Sequence, residues 1–418
     1  MREMKDSGVE WIGEIPAKWK CMRLKFAFGS SNVGESIDKD LYSEAVEGYI
    51  FYTAGANPVK TSYLNFPGWK YTTKNDILLA RNGTPYVYLP EIGSVYSDHI
   101  IRIDIKDGYD KRFLRYCLQR SIESVIVDTV SIATWSISLW KEQVLPLPSY
   151  EEQTKIADYL DSKCSKIDAI IGCQEEIIEK LKEYKLSLIR ETVIGGLNPG
   201  VEKKDSGYDF IGNIPSHWNI CRLRNIGTSQ NGISKGGGFF GHGYPFVTYG
   251  DVYRNYSLPN KVSGLIESTD KERELYSVEK GDIFFTRTSE TIEEVGFSCV
   301  CEETIPDACF AGFLIRVRPD NDRLYTGYAK YYFRSNHQRY YLVKEMNLVT
   351  RASLGQNLLK SMPVLVPPKK EQEEIALYLD RKTREIDQDI KKRQAMIDKF
   401  YSYKKSLIYE VVTGKKEV

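Results

Sequence analysis

The sequence predicts an α+β protein built as a pseudo-two-fold internal repeat: two mixed, β-rich domains joined by two long helices that pair as a coiled coil. Three observations predict it. Residues 5–24 (KDSGVEWIGEIPAKWKCMRL) recur at 204–223 (KDSGYDFIGNIPSHWNICRL) with 11 of 20 positions identical. Residues 152–195 recur at 371–414 with 21 of 44 identical. Strand-like runs between these boxes align as well. A period of about 200 residues is far longer than any solenoid unit, so a whole domain with its helix is duplicated.

Taken in order, the chain divides into a domain at 1–149, a helix at 150–196, a second domain at 197–368 and a second helix at 369–418. Each domain opens on the repeated box, where Trp19 with Pro16 and Trp218 with Pro215 read as an anchoring corner. Strands are expected at 49–55, 76–81 and 99–105, then at 245–253, 282–287 and 313–318. These runs are β-branched and aromatic, as pleated, half-buried strands prefer. The run KNDILLAR at 74–81 matches KGDIFFTR at 280–287, and HIIRI at 99–103 matches FLIRV at 313–317. FLRYC at 113–117 and YAKYY at 328–332 read as a short helix in each copy.

The long helices are the firmest elements. Leu160, Cys164, Ile167, Ile171, Gln174, Ile178, Leu181, Lys185 and Leu188 alternate at spacings of three and four, the pattern of a coiled-coil seam. The second copy runs Leu379, Thr383, Ile386, Ile390, Arg393, Ile397, Phe400, Lys404 and Leu407. Prolines 148 and 367 precede the first turns, where a missing N–H is harmless. Glu151, Glu152, Glu371, Glu373 and Glu374 then suit the positive helix end. Gly195, Gly196 and Gly414 supply the stops. Such rods cannot bury their seams alone, which favours pairing with each other. Segment 151–200 carries 7 basic and 10 acidic residues and segment 369–418 carries 13 and 10. That imbalance suits mutual pairing, and suits drift on two solvated faces equally well.

Composition excludes several classes. The 418 residues are 42% hydrophobic and 28% charged with a formal net charge of +1, ordinary for a globular protein of two or more domains. There is no apolar run of about 18 residues and no apolar core near the N-terminus, so a cytoplasmic protein without a membrane contact is expected. The eight cysteines form no CxxC pair, and Cys299, Cys301 and Cys309 read as reduced, buried thiols rather than a metal site. GGGFFGHG at 236–243 lacks the lysine of a phosphate loop. No base-flipping Asn/Asp-Pro-Pro-aromatic tetrad, GxSxG or HExxH occurs, and Pro306-Asp307 and Pro319-Asp320 lack a following nuclease strand. The sum points to recognition rather than catalysis.

Glycine-rich, polar, aromatic loops flank the strands at 57–69, 81–86, 230–244 and 287–290. Arg and Lys grip phosphates and read guanine, while Asn and Gln read adenine. Candidate DNA contacts are therefore Lys60, Trp69, Arg81, Asn82, Thr84, Tyr86, Asn231, Lys235, Arg287, Thr288 and Ser289 in these loops, with Tyr249, Arg254 and Arg351 outside them. For Arg81 and Arg287 the competing expectation is an ion pair with Asp76 or Asp282.

The box Ile15-Pro16…Trp19…Arg23-Leu24 and its copy Ile214-Pro215…Trp218…Arg222-Leu223 resemble the opening of target-recognition domains in Type I restriction-modification specificity subunits. So do the KxDI runs and the helix starts at 145–161 and 364–380, and the four boxes cover the chain in the family's order. The resemblance implies a non-catalytic subunit whose two domains each read one half of a split, asymmetric double-stranded DNA site. It implies that the helices form an antiparallel coiled coil that sets the spacer. It also implies two modification subunits that bind S-adenosylmethionine and methylate adenine, with two restriction subunits, where present, adding ATP- and Mg-dependent cleavage. A specificity subunit of a bifunctional cut-and-methylate system, or a coiled-coil interaction scaffold, would share much of this pattern.

Overall fold

The structure is a computed structural model that describes residues 2–82, 86–125, 135–289, 295–345 and 352–418. It is α+β and resolves into two compact units, Met1–Glu175 with Gln394–Val418, and Glu176–Arg393. The long helices, Tyr150–Gly195 and Lys369–Val412, each contribute residues to both units. Among the described residues no helix is long and apolar enough to cross a membrane.

The first unit opens on a hairpin, Met4–Asp6 against Glu14–Pro16, and Lys20–Arg23 pairs antiparallel with Val144–Leu147, the strand that leads into the first long helix. Its main sheet is antiparallel, in the order Phe28–Val33, Ile100–Ile105, Asp76–Ala80, Val87–Tyr88. All five residues of Asp76–Ala80 are buried. Leu78 and Ala80 pack with Tyr52, Tyr88, Tyr96 and Ile100, so Ile77 and Leu79 face the other side. Both faces are covered, which is why the run shows no polar alternation. A second sheet has the order Val95–Tyr96, Tyr49–Tyr52, Val59–Thr61, Tyr42–Ser43, with its first pair parallel. The helix Lys111–Val125 packs on Val144–Leu147 and Val87–Tyr88.

The second unit repeats this frame. Its main sheet runs Gly227–Asn231, Leu314–Pro319, Ile283–Thr286, Ser298–Val300. Ile283 and Phe285 join one core with Ile315, Val317, Tyr328 and Leu379, while Phe284 joins another with Phe246, Cys299 and Phe310. The parallel pair also recurs, Phe246↔Cys309 beside Val247↔Phe310, where the first unit has Phe51↔Val95 and Tyr52↔Tyr96. The antiparallel neighbour of that pair recurs as well, Val59–Thr61 in the first unit and Gly264–Ile266 in the second. The units diverge around these strands: the second carries two helices, Tyr249–Arg254 and Asp270–Leu275, where the first has residues 53–58 and the turn Gly68–Lys70. The strand expected at 245–253 is thus corrected: only Phe240–Val247 is extended. Thr248 and Asp251 form a reciprocal capping box that starts a helix at Tyr249. The short helix expected at 328–332 is Thr326–Tyr332, and a further helix comes next at Asn336–Glu345.

The seam lies where its spacing places it. Leu160, Ile167, Ile171, Ile178, Leu379, Ile386, Ile397 and Leu407 are buried, and Leu181, Leu188, Ile390 and Phe400 half-buried. In the first unit Lys404 Nζ meets Asp168 at 2.6 Å, and Gly414 closes on Pro16 and Trp19, whose indole reaches Glu152 at the first helix's start. In the second unit Lys185 Nζ meets Asp387 at 2.7 Å, and Gly196 closes on Trp218, whose indole reaches Glu371 at the second helix's start. Within each unit, therefore, the two helical segments run antiparallel. Lys185 and Lys404 are repeat equivalents, as are Asp168 and Asp387. Each helix gives one cation and one anion, so the net-charge imbalance is not what pairs them.

The anchoring corners also hold. Trp19 and Trp218 are 2% and 0% exposed, and their indole N–H groups donate to Glu152 and Glu371 at 3.3 and 2.8 Å. The stops are left-handed glycines set against those indoles. A Cβ at Gly414 (φ +72°) would meet Pro16 at 2.5 Å, and one at Gly196 (φ +74°) would meet Trp218 at 3.1 Å.

Candidate nucleic-acid interface

In each unit the buried strand of the KxDI run ends in an arginine, and the backbone there is held the same way. Arg81 N–H donates to His99 O at 2.8 Å, and Arg81 O accepts from Trp135 N–H at 2.6 Å. Arg287 N–H donates to Phe313 O at 2.9 Å, and its carbonyl accepts from Leu354 N–H at 2.7 Å. Two loops distant in sequence are thereby drawn together at one end of each main sheet. In the second unit the contact grows into a short ladder, Thr288↔Ser353 and Ser289↔Ala352. Edge backbone and polar loop side chains held at a rigid sheet end are suited to following a groove and offering hydrogen bonds.

The two arginines do not pair with Asp76 and Asp282. Asp282 accepts from Arg318 at 2.7 Å, and Asp76 lies 3.6 Å from Arg102, so each partner comes from the neighbouring strand. The two carboxylates also cap the turn before their own strand, accepting from Thr73 N–H at 2.6 Å and Glu279 N–H at 2.7 Å. Burial pushes the Asp76 carboxyl above its usual range despite that turn bond and Arg102. Arg81 Nη1 instead donates to Asp98 O at 3.2 Å, and Asn82 contacts His99 Nδ1 at 2.8 Å. Arg287 and Thr288 are half-buried.

The remaining candidates are distributed. Tyr86 lies beside this end of the first sheet, its ring 6.0 Å from Tyr88. Lys60 and Trp69 belong to the second sheet and its loop. Both are exposed, and Lys70 Nζ sits 4.3 Å over the Trp69 ring. Asn231 ends the edge strand of the second unit's main sheet, where Gln356 Nε2 donates to it at 3.0 Å and Gln356 Oε1 accepts from Ser229 at 2.8 Å. Lys235 donates to Glu272 at 2.7 Å and Glu267 O at 2.8 Å, and its bond to Glu272, with the Thr269 cap, holds that carboxyl down to about 2. Tyr249 stacks on Tyr253 at 6.0 Å on the inserted helix, which ends at the exposed Arg254. Thr84 and Arg351 lie outside the described residues, and Ser289 is placed by its backbone alone.

Sequence reasoning misses His99, Phe313 and Gln356. The signal for the first two is their matched position at the head of the HIIRI and FLIRV runs; Gln356 carries none. The glutamates of the helix starts read from sequence only as partners of the helix dipole, although their repeat beside a repeated tryptophan is visible there. Cys299, Cys301 and Cys309 sit in the second unit's apolar core, where burial raises all three thiols, Cys301 to about 12.

A duplicated α+β module on antiparallel helices, with matched loop pairs at the sheet ends, is the class of protein this geometry defines. The model of the Type I restriction modification DNA specificity domain matches residues 16–183 and again 215–395, and the chain belongs to that family. It is 25% identical over 242 residues to the StySPI specificity subunit of Salmonella potsdam, across 57% of this chain and 50% of that protein. It is 23% identical over 303 residues to the EcoBI specificity subunit of Escherichia coli, across 69% and 62%. The matched stretch thus spans about half to three-fifths of these curated relatives. The fold is shared with the HsdS subunit from Thermoanaerobacter tengcongensis, at a TM-score of 0.53 and 15% identity over 96% of this chain and 98% of that one. A chain from a structural study of the assembly and conformational transition of the type I R-M system matches at 0.70 and 15%, over 95% and 98%.

Proposed function

We propose that this chain is the DNA-reading specificity subunit of a Type I restriction-modification complex, each unit reading one half of a bipartite, asymmetric site in double-stranded DNA. One observation carries the reading: two sheets of the same topology bear different inserts, with helices Tyr249–Arg254 and Asp270–Leu275 in the second unit where the first has residues 53–58 and the turn Gly68–Lys70. Like frames suit two copies of one protein partner, and unlike inserts suit two different half-sites. The antiparallel helices would then set the spacer. In this reading two modification subunits supply S-adenosylmethionine chemistry at adenine, and restriction subunits supply ATP- and Mg-dependent cleavage. This chain contributes no catalytic group.

The formal charge of +1 supports modest affinity in the isolated chain, because non-specific DNA binding scales with phosphate neutralisation. Selection from a random-sequence duplex pool tests the reading, using the full chain alone and with its modification subunit. A split consensus with two unrelated halves is expected, sharper in the complex. Failure to enrich any sequence in either form would refute it.

A further inference from the structure

At the start of each long helix one glutamine is almost wholly enclosed: Gln153 and Gln372 are each 1% exposed. Gln153 Oε1 accepts from the Asp110 N–H at 2.9 Å, and its Nε2 donates to Pro148 O at 3.1 Å. Gln372 Oε1 accepts from the Tyr325 N–H at 2.7 Å, and its Nε2 donates to Arg323 O and Pro367 O, both at 2.8 Å. Asp110 and Tyr325 immediately precede the helices Lys111–Val125 and Thr326–Tyr332, which pack behind the recognition sheets. Pro148 and Pro367 lie in the proline stretches that join strand to long helix. Each amide therefore ties together the sheet's backing helix, the exit strand and the long helix's first turn. The adjoining Glu152 and Glu371 fasten the opening box to the same turn through Trp19 and Trp218.

A site that needed only filling would take Leu or Met. A buried amide whose oxygen and nitrogen are both matched instead specifies one arrangement, because any rotation of the sheet about the helix start strands buried donors and acceptors. The pairing recurs in both units although the inserts around it have diverged.

We infer that Gln153 and Gln372 are positioning residues that fix the angle at which each recognition sheet leaves its long helix, and so the half-site spacing the chain accepts. This rests on the DNA-reading function proposed for the chain. The test uses the full chain with its modification subunit and duplexes bearing the selected site at its native spacer, one base pair longer and one shorter. Gln153→Met, Gln372→Met and the double variant should select the same half-sites yet lose about tenfold of their discrimination among the three spacers. An equal drop for all three spacers would mark a purely structural role and overturn the inference. Should these variants fold poorly by circular dichroism, Gln153→Glu and Gln372→Glu keep the acceptor, lose the donors and are read identically.

A second measurement needs no DNA. Spin labels at Lys74→Cys and Lys166→Cys in a Cys173→Ser background, both in the first unit, report the sheet-to-helix distance by pulsed electron resonance. Gln153→Met should broaden that distribution; an unchanged width overturns the inference. If the wild-type chain selects no split site, the DNA-reading function fails and the label distances alone decide on the clamp.

Discussion

Arg81 and Arg287 end equivalent strands, and the carboxylates at the start of those strands, Asp76 and Asp282, are occupied by Arg102 and Arg318 from the neighbouring strand. That leaves both guanidinium groups at the sheet ends, outside those ion pairs, where on the proposed DNA-reading function they would contact phosphate. Arg287→Ala should therefore weaken binding about three- to tenfold with little change in sequence preference, and lower the salt slope of log K by about one. Relaxed specificity at a single base pair in the selected site would instead make Arg287 a base reader. His337 carries a different prediction. It is 3% exposed, and burial, reinforced by Arg190, pushes its imidazole down to about 3 from an ordinary 6.5. Its folded pKa is depressed, so below about pH 6.5 the unfolded chain binds a proton that the folded one refuses. Stability is lost as pH falls through that window, with a slope approaching about 1.4 kcal/mol per pH unit from this group. Urea midpoints at about pH 7.5 and about pH 5 should show a smaller loss for His337→Gln than for the wild type; equal losses would contradict the assignment.

The long helices show how far a periodic pattern can be read and where it stops. Every predicted seam position is buried or half-buried, because burial on a helix face follows from spacing alone. Seam pattern does not fix register, since an apolar heptad stripe slides by whole heptads at little cost. The paired Lys185–Asp387 and Lys404–Asp168 bonds supply that missing information. Both are partly exposed, so each contributes at most about 1 kcal/mol after solvent screening. Lys185→Asp combined with Lys404→Asp should lower the denaturation midpoint in low salt, and adding Asp387→Lys and Asp168→Lys should restore it. No recovery in the quadruple variant would show that the bonds do not define register. The recognition sheets are legible at Asp76–Ala80 and Ile283–Thr286, where continuous apolar runs sit between turn signals. They are misread at 249–254, where Tyr and Val favour a strand but the Thr248–Asp251 capping box forms a helix. The candidate contacts are legible only as loop composition. Which loops meet depends on hydrogen bonds such as Trp135 to Arg81, made across more than fifty residues of sequence.

For the whole molecule, the proposed function ties spacer length to helix length. Inserting four residues at equivalent points of both helices lengthens each by about 6 Å, close to two base-pair rises. Methylation mapping or duplex selection should then return the same half-sites at a longer spacing; an unaltered spacer would show that the helices do not set it. The division of the chain has its own consequence for synthesis. The second unit is one continuous stretch, Glu176–Arg393, and all of its parts are present once residue 393 has left the ribosome. The first unit is made first but needs Gln394–Val418, since Gly414 packs on Trp19 and Lys404 meets Asp168. The module translated earliest is thus the one that must wait, with the apolar faces of Leu160, Ile167 and Ile171 uncovered for as long as the rest of the chain takes to emerge.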